Sequence, residues 1–167
     1  MDSSPQGLLA TYLNDHFAGS MTGVELARRS RDANDGSELG VLLGRLSAEI
    51  EEDRVTLESV MDEVGAGRDR AKIAAAWVGE KAGRLKPNGQ LIGYSPLSRV
   101  VELEGLSAGI EAKRLLWAAL EPLEDPRLAA FDFGQLTERA ARQRTELEPF
   151  RLAAAQTAFR RDVPAAP

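Results

Sequence analysis

The sequence predicts an all-α fold, a bundle of four long helices with one long, partly helical crossover between the second and third. Three observations predict it. Ala, Leu, Glu and Arg, all strong helix formers, dominate, aromatic residues make up only 5%, and no long alternation of β-branched residues appears. Four stretches carry apolar residues at helical spacing, each opened by a capping signal. The second and third stretches are about thirty residues apart, the separation a bundle with one lengthwise crossover needs and a simple up-and-down bundle does not.

Ser4 followed by Pro5 reads as an N-cap and first-turn proline, because proline lacks the N–H that would be orphaned there. The stripe Leu9, Tyr12/Leu13, His16, Ser20, Val24, Ala27 carries the first helix over about 5–31. Asn34-Asp35-Gly36 breaks it, and Asp35 with Glu38 has the spacing of a capping box for the second helix, about 37–64. Leu39, Leu42/Leu43, Leu46, Ile50, Asp53, Leu57, Val60/Met61 and Val64 run along that helix until Gly65 and Gly67. A shorter crossover helix is expected over about 69–85, with Ile73 and Trp77 on one side and Pro87-Asn88-Gly89 beyond it. Ser95-Pro96 repeats the cap-and-proline signal and opens the third helix, about 96–121. Asp132 with Gln135 again suggests a capping box, Phe131 with Leu136 a hydrophobic staple, and the fourth helix spans about 133–160. Pro149 should kink it. Residues 1–161 thus form one domain, and 162–167 read as a disordered tail.

Composition narrows the function classes. The absence of cysteine excludes disulfides, thiolate metal sites and a cysteine nucleophile, and is compatible with a reducing, cytoplasmic setting. No basic residue precedes the first apolar run, so no secretory signal is expected, and no stretch approaches the roughly 20 apolar residues of a spanning helix. With 21 basic and 26 acidic residues the net charge is −5, which argues against nucleic acid as a partner. One segment departs from this balance: Arg68, Arg70, Lys72, Lys81, Arg84 and Lys86 face only Asp69 and Glu80, a net of +4 over 68–86. Arg68, Arg70, Lys72, Lys81 and Arg84 are a candidate anion-binding surface, against the plainer reading of a solvated helix face.

Polar residues interrupt the apolar stripes at His16, Asp53, Glu104, Glu111 and Gln143. Counted from the helix starts, these positions suggest one polar layer near mid-bundle. Buried polar groups are costly unless paired, so such a layer implies either a metal or substrate site or a hydrogen-bonded network that sets helix pairing. Gly19 with Gly23, and Gly105 with Gly109, read as places of close helix approach, since each glycine costs a helix roughly 1 kcal/mol against Ala. Trp77, Tyr94 and Trp117 read as core or crossover anchors. No phosphate loop, zinc spacing or nucleophile elbow occurs.

YLNDHFAGSMTGVELARR with LGRLSAEIEEDRVTLESVMDEVG, and PLSRVVELEGLSAGIEAKRLLWAAL with the fourth helix, resemble the two helical hairpins of the ferritin-like superfamily. Together with WVGEKAGRLK they are similar to a group of bacterial helical proteins without an assigned activity. Metal-binding members of the superfamily place Glu on the first and third helices and Glu-x-x-His on the second and fourth. Here Glu51 is followed at the fourth place by Arg54, Glu49 by Glu52, and the fourth helix holds no histidine. The resemblance therefore implies the fold without the di-metal site, no cofactor, and no metal. Arg54, Arg114, Arg139 or Arg142 could neutralise the carboxylates and make a cation redundant.

Three readings follow. The first is a metal-free ferritin-like structural or interaction module, not an enzyme, with a homo-oligomer or protein partner. The second is a metal-binding protein or oxidoreductase with a reduced mononuclear site built from His16, Asp53, Glu104 and Glu111. The third is binding of the basic segment to an anionic surface.

Overall fold

Ser4 opens the first helix as its hydroxyl accepts a hydrogen bond from Gly7 N at 3.1 Å, with Pro5 in the first turn. In this computed structural model, which describes residues 3–69 and 95–160, the helices are α1 (Pro5–Ala33), α2 (Glu38–Glu63), α3 (Pro96–Leu120) and α4 (Phe133–Phe159). A short 3-10 turn, Pro126–Leu128, precedes α4. The caps of α3 and α4 are those the sequence predicts. Ser95 Oγ accepts from Ser98 N at 3.0 Å, and Asp132 Oδ1 from Gln135 N at 2.8 Å. Leu136 belongs to the apolar cluster against which Phe131 packs. α4 continues through Pro149 as one helix. No strand occurs among the described residues, and none of their helices is long and apolar enough to cross a membrane. Apart from Asp69, which is not helical, the expected crossover helix lies outside the described residues, as does the expected tail.

The cap of α2 differs from expectation. Ser37, not Asp35, fills it, with Ser37 Oγ accepting from Gly40 N at 3.1 Å. The turn decides this. Gly36 adopts φ 74°, which lets buried Asn34 fold back, its Nδ2 donating to Ser30 O at 2.7 Å and its carbonyl accepting from Ser37 Oγ at 2.6 Å. A Cβ at Gly40 would lie 2.2 Å from the Asn34 carbonyl oxygen. This glycine is required by close approach.

Four helix pairs pack: α1 on α2, α3 on α4, α1 on α3, and α2 on α4. All four are antiparallel. Between α1 and α3, for example, Arg29 meets Glu102 at 3.0 Å, while Phe17 and Trp117 share a cluster toward the other end. Between α2 and α4, Arg45 meets Glu146 and Glu52 meets Arg139. The diagonal pair α2 and α3 is therefore parallel, and the end of α2 and the start of α3 lie at opposite ends of the bundle. That is the geometry of a one-crossover bundle.

The core divides in two. One cluster holds Leu13, Phe17, Leu57, Met61, Trp117, Leu120 and Phe133, and the other Val24, Leu43, Leu46, Leu103, Leu106, Ile110 and Leu147. What separates them is polar.

Candidate functional site

On each of three helices one polar residue takes the place of an apolar one. Asp53 stands between Ile50 and Leu57, Lys113 between Ile110 and Trp117, and Gln143 between Ala140 and Leu147, at the spacing that turns a side chain inward. Asp53 is 2% exposed and Gln143 fully buried. The Lys113 ammonium donates to Asp53 Oδ2 and, at 2.7 Å, to Gln143 Oε1. Arg139 donates to Asp53 Oδ1 and, at 3.1 Å, to Glu52 Oε2. Gln143 Nε2 then donates to Glu49 Oε2 at 2.8 Å, and Arg142 and Arg45 donate to Glu49 Oε1 at 3.0 and 3.3 Å. Each end of the Gln143 amide thus finds the partner its polarity requires, an ammonium for the oxygen and a carboxylate for the nitrogen.

The electrostatics follow from these contacts. Burial would raise the Glu49 carboxyl, but the Gln143 hydrogen bond and the charges of Arg142 and Arg45 hold it below the usual carboxylate range. Burial lowers the Lys113 ammonium, opposed by Asp53 and reinforced by Arg139. The inner charges balance, Asp53 and Glu49 against Lys113 and Arg139. Removing any one member of this network would leave a buried charge or amide without its partner.

Two of the five positions expected in one polar layer, Asp53 and Gln143, come together here. Glu104 and Glu111 do not. Glu104 is exposed and faces Arg151 of α4 at 3.5 Å, while Glu111 binds Arg114 and Arg144 at 2.8 and 2.7 Å on the outer side of the α3–α4 pair. The reason is that α3 carries two apolar stripes. Its core face is Val100, Leu103, Leu106, Ile110 and Trp117, whereas Leu97, Val101 and Leu115 are exposed. Periodicity alone reads the wrong one. Lys113 lies on the true core face, and its place one turn after Ile110 and before Trp117 is the signal that sequence reading missed.

His16 is half-buried, sits edge-on to Tyr12 at 4.6 Å between centroids, and is lowered in pKa by burial, against the opposing charge of Asp15. Of the expected mononuclear site, His16 and Asp53 border one cleft, whereas Glu104 and Glu111 pair with Arg151 and Arg144 away from it. Among the described residues no group of three or more His, Asp or Glu is placed to hold a metal ion, and both Asp53 oxygens already accept from cations. Of the four expected arginines, Arg139 neutralises Asp53, Arg142 Glu49, Arg114 Glu111, and Arg54 both Glu51 and Glu58. From the expected anion-binding surface, Arg68 is paired with Glu58 and Asp62. Arg70, Lys72, Lys81 and Arg84 lie outside the described residues.

A cleft of about 320 Å³ opens beside the polar network, between α1, α2 and α3. Lys113, Asp53 and His16 line it, with Ile50, Leu106 and Trp117 among its apolar walls. The four glycines expected at close helix approach also line it. Only Gly105 is crowded, with Leu26 Cδ2 3.1 Å from where its Cβ would stand. At Gly19, Gly23 and Gly109 a Cβ would meet nothing within 4 Å. They border the cleft and do not bring backbones together. Compared with models of known protein families, with curated proteins and with solved structures, the chain matches none.

Proposed function

We propose that the protein is a metal-free, ferritin-like bundle that serves as a structural or interaction module and not as a redox enzyme. One observation carries this reading: the Lys113 ammonium bridges Asp53 and Gln143 from three different helices, and Arg139 takes the second Asp53 oxygen. A fixed protein cation does there what a metal ion does between the helices of carboxylate-bridged bundles. The antiparallel neighbours and parallel diagonals support the ferritin-like assignment, and a cytoplasmic location accords with the cysteine-free sequence. Self-association is the mode of interaction this reading favours, since Leu97, Val101 and Leu115 on α3 and Leu152 and Phe159 on α4 are exposed apolar side chains.

Metal content tests the reading. Protein purified without chelator, then offered Mn, Fe and Zn and desalted, is expected to carry well under about one ion per chain by plasma mass spectrometry. About one tightly bound ion per chain, lost in Asp53→Asn, would replace this reading with the mononuclear one.

A further inference from the structure

We infer that the cleft between α1, α2 and α3 binds an uncharged, mainly apolar small molecule with one hydrogen-bonding group. The apolar part of this inference rests on the cleft's volume, about 320 Å³, and on a wall that includes Ile50, Leu57, Leu106, Ile110, Leu116 and Trp117. Protein interiors leave few voids larger than a water molecule, and an apolar cavity of about 150 Å³ stays dry and takes up benzene. The cleft offers about twice that volume. It falls at the lower end of the range of small-molecule pockets, roughly 300–1,000 Å³.

The polar groups of the wall decide the ligand's charge. Asp53 is neutralised by Lys113 and Arg139, and Arg54 by Glu51 and Glu58. Ser20 spends its hydroxyl proton on Phe17 O at 2.7 Å, and Asp15 is exposed, where water screens its charge. An ionised ligand would give up its hydration here without meeting an uncompensated counter-charge. An uncharged one keeps the gain from the apolar wall. The polar anchor is His16, which borders the cleft half-buried and whose ring nitrogens have no hydrogen-bond partner among the described residues. A hydroxyl suits it in either tautomer, because it both donates and accepts. For the same reason a hydroxyl is compatible with the spare lone pairs of Asp53 and the third N–H of Lys113. The inference does not rest on the metal-free reading, because the metal assay and a ligand titration report separately.

The test is calorimetric titration of the full chain with octanol, octanoate and octylammonium, which share one chain length and differ in charge. His16 is the only histidine in the chain, so its ring-proton resonances report occupancy of this cleft. Saturable one-to-one binding of octanol is expected, about tenfold or more tighter than either ion, with the His16 ring protons shifted. Gly109→Leu on α3 and Gly19→Leu on α1 add side chains where a Cβ would meet nothing within 4 Å. Each is expected to stay folded and to weaken octanol by about tenfold or more. His16→Phe is expected to weaken it by about two- to tenfold. Absence of saturable octanol binding, or unmoved His16 ring protons, overturns the site. Unchanged affinity in the two leucine variants overturns it too, because octanol would then sit elsewhere. Equal or tighter binding of either ion overturns the uncharged ligand, and unchanged affinity in His16→Phe overturns the imidazole anchor.

Discussion

The α2–α4 seam and the α1–α3 seam solve the same packing problem in opposite ways. Along the first, Arg45, Glu49, Glu52 and Asp53 meet Glu146, Arg142, Gln143 and Arg139, so that charged side chains fill the space between the helices. Along the second, the contact of Arg29 and Ser30 with Glu102 toward one end gives way to glycines and a cleft. At its centre the α2–α4 seam tolerates few changes, because Asp53 and Gln143 would be left as buried polar groups, whereas the Arg45–Glu146 and Glu52–Arg139 contacts reach the surface. A seam bordered by glycines with nothing opposite them leaves room for substitution.

The contrast is most easily broken at Asp53. Asp53→Ala leaves Lys113 and Arg139 without their shared carboxylate, and a loss of about 3–5 kcal/mol is expected in urea unfolding. Adding Lys113→Met should recover part of it, and strict additivity of the two changes would argue against a coupled network. Gln143→Leu removes an acceptor from Lys113 and a donor from Glu49, for about 1–3 kcal/mol. A neutral outcome would mean that the amide only fills space. In the other seam the sign reverses. Gly23→Ala is expected to stabilise by up to about 1 kcal/mol, whereas Gly40→Ala, against the Asn34 carbonyl, should destabilise. If both alanines destabilise, the α1–α3 seam is tighter than its glycines indicate.

The smallest effect is that of pH at His16. Its folded-state pKa lies below the unfolded value near 6.5, so the unfolded chain takes up the proton first as pH falls. The His16 contribution is therefore full above about pH 7 and declines through about 6.5 toward the lower folded value. His16→Gln should flatten that part of the stability profile. An unchanged slope would place the titration elsewhere.

Much of the fold is legible because it rests on local chemistry. Ser4, Ser95 and Asp132 cap helices wherever a side-chain oxygen can reach the first free N–H groups, and the apolar stripes of the other three helices leave one face to bury. The cap of α2 fell to Ser37 and not to Asp35, because Asn34 folds back onto Ser30 and Ser37 Oγ then reaches Gly40 N. The polar centre was half legible. Asp53 and Gln143 interrupt clear stripes, but α3 is apolar on two sides, and its rotation about its own axis decides which stripe is core. That rotation put Glu104 and Glu111 outside and Lys113 inside.

What the sequence by itself determined is therefore the number, ends and inward faces of most helices, because capping, propensity and amphipathic spacing act within a few residues. Only the tertiary structure decided which polar groups meet and where space is left. A lysine from α3, a carboxylate from α2 and an amide from α4 are 30 and 60 positions apart in the chain, and their pairing exists only once the helices have chosen their neighbours. The glycines show the same division. Their cost to a helix can be read locally, but whether a neighbour or a cleft lies opposite depends on how far α1 stands from α3.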